Sequence, residues 1–238
     1  MGGEKALEET ATDPRKVRFF VENLLKWYTK YGRDFPWRKS KNPYHILIAE
    51  LMLQRTKASQ VERVYLEFIE EFPDLVSLSK ASQDRVRQYF SKLGLEWRAR
   101  KVIALAKILV NKYQGEIPCD RDELLSLPGI GEYISAAILS FACNIPIAVV
   151  DSNVVRVLSR YFGITPKGEG RRDRRILQLA SMILPKENHR EYNFAIIDFA
   201  SEICTPKNPK CFMCPLREMC SAFPDNILRK MSQREKGT

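Results

Sequence analysis

The stretch Leu127-Pro128-Gly129-Ile130-Gly131-Glu132-Tyr133-Ile134-Ser135-Ala136-Ala137 decides how this chain is read. It joins two helical patterns, over 121–127 and 133–142. Pro128 ends the first helix, and Gly129 and Gly131 allow a tight turn with exposed backbone amides. The second helix starts at once, so its unpaired N–H groups and positive dipole end face whatever approaches the turn. Such a hairpin can hold a phosphate without reading base sequence. An ordinary helix–helix connection is the competing reading.

Outward from this hairpin the periodicity stays helical. Apolar residues recur at three- and four-residue spacing at Phe20, Val21, Leu24, Leu25 and Tyr28. After Pro43 the pattern resumes with Ile46, Leu47, Ala49, Leu51, Met52 and Leu53. Amphipathic stretches follow over 61–72, 75–79, 84–93, 98–113, 152–162, 172–184 and 192–203, and no period-two alternation competes with them. Gly32, Pro118, Gly163 and Pro185 punctuate helices of globular length. The fold class is all-α. The polar ends, 1–15 and 232–238, are expected to fray.

The 238 residues carry 39 Lys and Arg against 29 Asp and Glu, a net charge of +10. A 45% hydrophobic content is that of a globular chain, which excludes a disordered basic tail. The longest apolar runs, 46–48, 136–139 and 145–150, are far too short to span a bilayer. No charged-then-apolar leader opens the sequence, so the expectation is a cytoplasmic, nucleoid-associated protein in a reducing compartment, not secreted. The positive excess points to a polyanion, nucleic acid ahead of a membrane surface.

Six cysteines are unevenly placed. Cys119 and Cys143 stand alone and are expected as core thiols. Cys204, Cys211, Cys214 and Cys220 fall within seventeen residues in a C-x6-C-x2-C-x5-C pattern, which reads as metal rather than disulfide. Four thiolates suit zinc or a [4Fe–4S] cluster. Two acids also stand out. Glu50 interrupts an apolar helix, where a carboxylate is costly unless it acts or faces solvent. Asp151 follows the apolar run 145–150 and precedes Ser152-Asn153, the position of a helix N-cap.

The hairpin, followed by Val149-Val150-Asp151-Ser152-Asn153-Val154-Val155-Arg156-Val157, resembles the helix-hairpin-helix/Gly-Pro-Asp superfamily of DNA glycosylases. The cysteine spacing resembles its endonuclease III branch. Arg33-Asp34-Phe35-Pro36-Trp37-Arg38 and the run from Pro43 through Gln54-Arg55-Thr56 resemble the mismatch glycosylases of that branch. The resemblance runs from about Arg33 to Cys220.

That resemblance implies a two-lobed all-α fold with DNA in the cleft between the lobes. Residues 1–35 would pack on a C-terminal lobe, 148–238, which holds a [4Fe–4S] cluster in the loop 204–220. Residues 36–147 would form a six-helix barrel carrying the hairpin, 127–137. It further implies a base-excision-repair enzyme, a monomer on double-stranded DNA, that hydrolyses the N-glycosidic bond of a mismatched, flipped-out base. Base cleavage builds positive charge on the sugar, which Asp151 would stabilise. Glu50 would give acid–base help to the leaving base.

Branch members that also cut the backbone place a lysine where Tyr133 stands, so the resemblance implies base removal without strand cleavage. Gln54-Arg55-Thr56 resembles the family's filler segment, which implies Arg55 as the wedge in the gap left by the flipped base, with Gln54 and Thr56 in contact with the bases. Leu127, Gly129, Ile130 and Gly131 would meet DNA through the hairpin, as would Lys207 and Lys210 through the first cysteine loop. The resemblance implies as substrate thymine or uracil opposite guanine, or, in a MutY-type enzyme, adenine opposite guanine or 8-oxoguanine. Arg55, the Ile46–Glu50 segment and the short tail after Cys220 look closer to the thymine/guanine enzymes, while Tyr133 and Ile203-Cys204-Thr205-Pro206 also fit some adenine enzymes. A DNA-binding module without catalysis is a further alternative, against which acids facing a polyanion argue, and a redox or zinc regulator is a third.

Overall fold

The computed structural model describes residues 13–223, and among these every regular element is a helix. Helix α1 (Pro14–Tyr31) opens on an Asp13 cap whose carboxylate accepts the Arg15 N–H at 2.9 Å. The expected fraying therefore does not reach residues 13–15, while 1–12 and 232–238 lie outside the described residues. The chain forms two compact units. One is Asp34–Ile145; the other draws on the flanking segments, up to Arg33 and from Pro146.

The Asp34–Ile145 unit contains α2 (Pro36–Lys39), α3 (Pro43–Leu53), α4 (Ala58–Glu71) and α5 (Leu75–Lys80). It continues through α6 (Gln83–Ser91), α7 (Ala99–Tyr113), α8 (Arg121–Ser126) and α9 (Glu132–Phe141). Helix α3 is apolar on all sides, and Tyr44 and every residue from Ile46 to Met52 are buried. A helix of that kind belongs in a core, and α4 and α9 pack on it. Asn42 and Pro43 start it, the Asn42 side chain accepting the Tyr44 N–H at 2.9 Å. The single turn α2 has too few residues to show a period.

Cys119 and Cys143 are not core thiols: they form a disulfide with Cα atoms 5.8 Å apart. Cys119 is exposed beside Asp120, the cap of α8, and Cys143 is half-buried just after α9. The two lie 24 residues apart in separate loops, and only the folding back of α9 on α8 brings them together. The bridge clasps the helical hairpin at its base.

The second unit packs α1 against α10 (Ser152–Phe162), α11 (Arg174–Met182) and α12 (His189–Glu202) around Phe20, Leu24, Leu158, Tyr161, Ile176 and Phe199. The Phe20 ring lies 4.7 Å from that of Tyr161 and 5.5 Å from that of Phe162. Asp198, fully buried on α12, accepts the Arg33 backbone N–H at 2.9 Å and its guanidinium at 2.6 Å. Asn193 on the same helix pins the extended segment 146–150. Its amide oxygen accepts the Val149 N–H at 3.1 Å and its nitrogen donates to the Ile147 carbonyl at 2.9 Å. That clamp delivers the chain to Asp151.

Candidate functional site

Asp151 caps α10. Its Oδ1 accepts the backbone N–H groups of Asn153 at 2.8 Å and Val154 at 2.7 Å. The other oxygen, Oδ2, accepts the Asn153 side-chain amide at 2.7 Å. The half-buried carboxylate is thus held at the positive end of a helix with its orientation set from two sides. Capping and a role in chemistry are compatible, because the cap is what fixes the charge in place.

Asn153 is in turn oriented by Arg156, whose guanidinium donates to its amide oxygen at 2.9 Å. Arg156 also donates to the carbonyls of Cys204 and Ala200, each at 2.9 Å. Burial lowers the pKa of Arg156, and the charges of Cys204 and Asp151 oppose that shift. A continuous hydrogen-bonded path therefore joins the Asp151 carboxylate to the first residue of the cysteine loop. Neither Asn153 nor Arg156 stood out by residue type; their spacing of two and five after Asp151 was the available signal.

The four clustered cysteines are free of disulfides and half-buried. Arg160 reaches over the loop, donating to the Thr205 carbonyl at 2.7 Å and the Pro206 carbonyl at 3.0 Å, with Cys204 Sγ at 3.6 Å. Burial pushes the Cys214 thiol up to about 12 and raises that of Cys220, and the other thiols of the set add to both shifts. Among the described residues, no group of three or more His, Cys, Asp or Glu side chains is placed to hold a metal ion. Lys207 and Lys210 are exposed on the first loop, where the Thr205 hydroxyl bonds the Lys207 carbonyl at 2.8 Å.

In the other unit, α8 and α9 enclose the turn 127–131. Leu127 and Ile130 are buried and anchor the turn, so their side chains do not face outward. The Ile130 N–H closes it on the Leu127 carbonyl at 3.2 Å. Gly129 has φ +86°, a conformation that excludes most side chains. Gly131 differs: its φ is −106°, and a Cβ there would meet nothing within 4 Å. Nothing inside the protein requires a glycine at 131, whereas close approach of an outside group would. Glu132 puts a carboxylate beside the turn, and Arg121 pairs with it at 2.7 and 2.8 Å.

Tyr133 sits half-buried in the first turn of α9. Glu50, on the helix that α9 packs against, is 6% exposed, so it is not a solvated surface acid. After α3, Arg55 adopts φ +63°, uncommon for a side chain of its size, and stands exposed. Thr56 closes the turn with its N–H on the Leu53 carbonyl at 3.2 Å. Gln54 is half-buried and lines a cavity of about 180 Å³ with Trp97, Arg98, Lys101, Pro128 and Gly129. The structure thus brings the segment after α3 and the hairpin turn to one hollow. Trp97, Arg98 and Lys101 escaped the sequence reading, although an aromatic residue among closely spaced basic ones is a nucleic-acid signal.

Residues 48–199 match the family described as HhH-GPD superfamily base excision DNA repair protein. This chain belongs to that superfamily. It is 38% identical over 217 residues to the thymine/uracil-DNA glycosylase of Pyrobaculum aerophilum, covering 88% of this chain and 94% of the relative. It is 37% identical to an adenine DNA glycosylase of Buchnera aphidicola over 88% of this chain but 60% of the relative. Among solved structures, a thermostable thymine-DNA glycosylase superposes with a TM-score of 0.82 at 33% identity, over 89% of this chain and 98% of that one. Superfamily membership covers the hairpin, Asp151 and most of the segment after Pro43. The cysteine loop, beginning at Cys204, lies beyond the matched residues.

Proposed function

We propose that the protein is a monofunctional DNA glycosylase that removes thymine or uracil opposite guanine. The observation that carries the substrate is the run of thymine- and thymine/uracil-DNA glycosylases among the relatives, 34–38% identical over 87–91% of this chain. The glycine at 131, unexplained by packing or dihedral, supports close approach of a phosphate to the head of α9. Once a base is flipped out, the capped Asp151 carboxylate stabilises the cationic sugar as the glycosidic bond breaks. Buried Glu50 gives acid–base help to the departing base. Arg55 fills the vacated space, with Gln54 and Thr56 against neighbouring bases.

A duplex panel carrying T:G, U:G, A:G or A:8-oxoG tests this reading. Strand scission after alkali is expected for T:G and U:G. Cleavage confined to the adenine duplexes would establish the MutY-type reading instead, which the 37% identity to an adenine glycosylase makes the natural second choice.

Tyr133 gives a second expectation. A phenol cannot form the imine that strand-cutting relatives need, so borohydride should trap no covalent complex with wild-type protein. Tyr133→Lys places an amine at this position and is expected to create trapping. Strong trapping by the unaltered protein would contradict the monofunctional assignment.

We further propose that the four clustered cysteines hold a [4Fe–4S] cluster, a reading that their C-x6-C-x2-C-x5-C spacing supports. The thiols are unbridged and interact electrostatically with one another, and Arg156 and Arg160 hold the carbonyls of Cys204 and Thr205 beside them in the chain. Buried thiols with raised pKa values become ligands only when a metal charge stabilises the thiolates. Cys204, Cys211, Cys214 and Cys220 would hold the cluster, which when bound supplies a rigid cross-link to a segment with little core. The purified protein is expected to be yellow-brown with roughly four irons per chain. A colourless protein with one stoichiometric zinc would overturn the cluster assignment.

Rigid presentation of that loop would set Lys207 and Lys210 toward phosphates. Each phosphate contact contributes about 0.9 to the slope of log affinity against log salt. Lys207→Ala with Lys210→Ala is therefore expected to flatten the slope by about two. An unchanged slope in a binding titration would show that the loop faces away from DNA.

A further inference from the structure

The hollow beside the hairpin contains one side chain whose orientation is dictated by its neighbours. Arg98 donates through one terminal nitrogen to the amide oxygen of Gln54, and through the other to the Leu51 carbonyl at 3.4 Å. Its guanidinium carbon lies 4.5 Å from the centroid of the Trp97 ring, whose electron-rich face holds a cation. Lys101 Nζ stands 4.9 Å from the same ring, and Trp97 remains 56% exposed. Burial, and then the nearby charge of Arg55, lowers the pKa of Arg98. The half-buried guanidinium is thus held by Trp97 and two oxygen acceptors.

This arrangement has a consequence for Gln54. An amide can present either its oxygen or its nitrogen to a partner, and a free glutamine flips to suit. Here the oxygen is taken by Arg98, and among the described residues the Gln54 amide nitrogen has no hydrogen-bond partner. With the oxygen held by Arg98, the group the side chain has left to turn to a new partner is its amide nitrogen, a donor. A group of that kind matches a base edge rich in acceptors. Guanine presents O6 and N7 side by side, whereas adenine puts an N6 amino donor where O6 would be.

We propose that Arg98, clamped by Trp97, is a specificity-determining positioning residue: it locks Gln54 as a donor that reads O6 of the guanine left opposite the removed pyrimidine. This rests on the thymine/uracil:guanine reading above and extends it to the partner strand. Without the lock, Gln54 could turn its oxygen outward and accept from an amino group. Discrimination between opposing purines would then fall, while the chemistry at the removed base would be left in place. The expected discrimination from such a contact lies between about fivefold and a hundredfold.

The test compares single-turnover thymine release from duplexes with T opposite guanine, hypoxanthine or 2-aminopurine. Hypoxanthine keeps O6 and lacks the 2-amino group; 2-aminopurine keeps that amino group and lacks O6. Wild-type protein is expected to treat guanine and hypoxanthine alike and to be about tenfold or more slower opposite 2-aminopurine. Arg98→Met keeps the length and apolar stem of the side chain but removes its donors. It is expected to bring the guanine to 2-aminopurine ratio close to one, chiefly by slowing the guanine duplex. Trp97→Leu, which leaves Arg98 without its clamp, is expected to reduce the ratio in part. Equal wild-type rates opposite guanine and 2-aminopurine would overturn the lock, as would an unchanged ratio in a folded Arg98→Met protein. No thymine release from T:G by wild type would instead overturn the underlying substrate reading.

Discussion

Asp151→Asn is expected to slow base release by on the order of a thousandfold while leaving mismatch binding intact or tighter. A unit charge about 4 Å from the developing cation, at an effective dielectric near 20, is worth about 4 kcal/mol, which is roughly that factor in rate. The structure sharpens how the variant should be read. Asparagine can keep the Oδ1 bonds to the Asn153 and Val154 N–H groups, so the cap survives. Its new amide nitrogen would face the Asn153 side-chain nitrogen, a donor against a donor. Asn153 cannot flip to relieve this without losing Arg156. A stability loss of about 1 kcal/mol is therefore expected alongside the kinetic loss. Single-turnover kinetics and a denaturant midpoint on the same preparation separate the two. Near-normal rates in a folded Asp151→Asn protein would show that the aspartate only caps.

Removing the clasp at the base of the hairpin should produce the largest loss of stability. Cys119 and Cys143 close a loop across a separation of 24 residues, and the chain-entropy estimate for a loop of that size is about 3.5 kcal/mol. That is a factor of several hundred in the folding equilibrium. Because the bridge joins the ends of α8 and α9, its loss should also loosen the turn around Gly129 and Gly131. Cys119→Ser with Cys143→Ser is expected to lower the urea midpoint of the Asp34–Ile145 unit and to weaken non-specific DNA affinity. The double variant is preferable to a reductant, which would also act on the other four cysteines. An identical midpoint would show that the two thiols are not bridged in solution.

The helical architecture was legible because the core is organised by period. The apolar rows on α1, α4 and α10 recur as their buried faces do, and the breakers stand where helices end. The hairpin was legible from its proline and glycines, and Asp151 from its place between an apolar run and a helix start. What stayed hidden was long-range. The Cys119–Cys143 pairing, the Asn193 clamp on 147–149 and the Arg98–Gln54 contact join residues 24 to 46 positions apart, and no local pattern announces them. The burial of Glu50 was decidable only once α3 proved apolar all round, since a one-sided helix would have left room for a solvated acid.

The most direct measurement is the identity of the base set free. Equal amounts of T:G and A:8-oxoG duplex are mixed with the protein, and the low-mass products are identified by mass spectrometry. The account predicts free thymine, with intact strands until alkali is added, and no adenine above the level given by Asp151→Asn. Adenine as the released base, with thymine at the level of that variant, would contradict it.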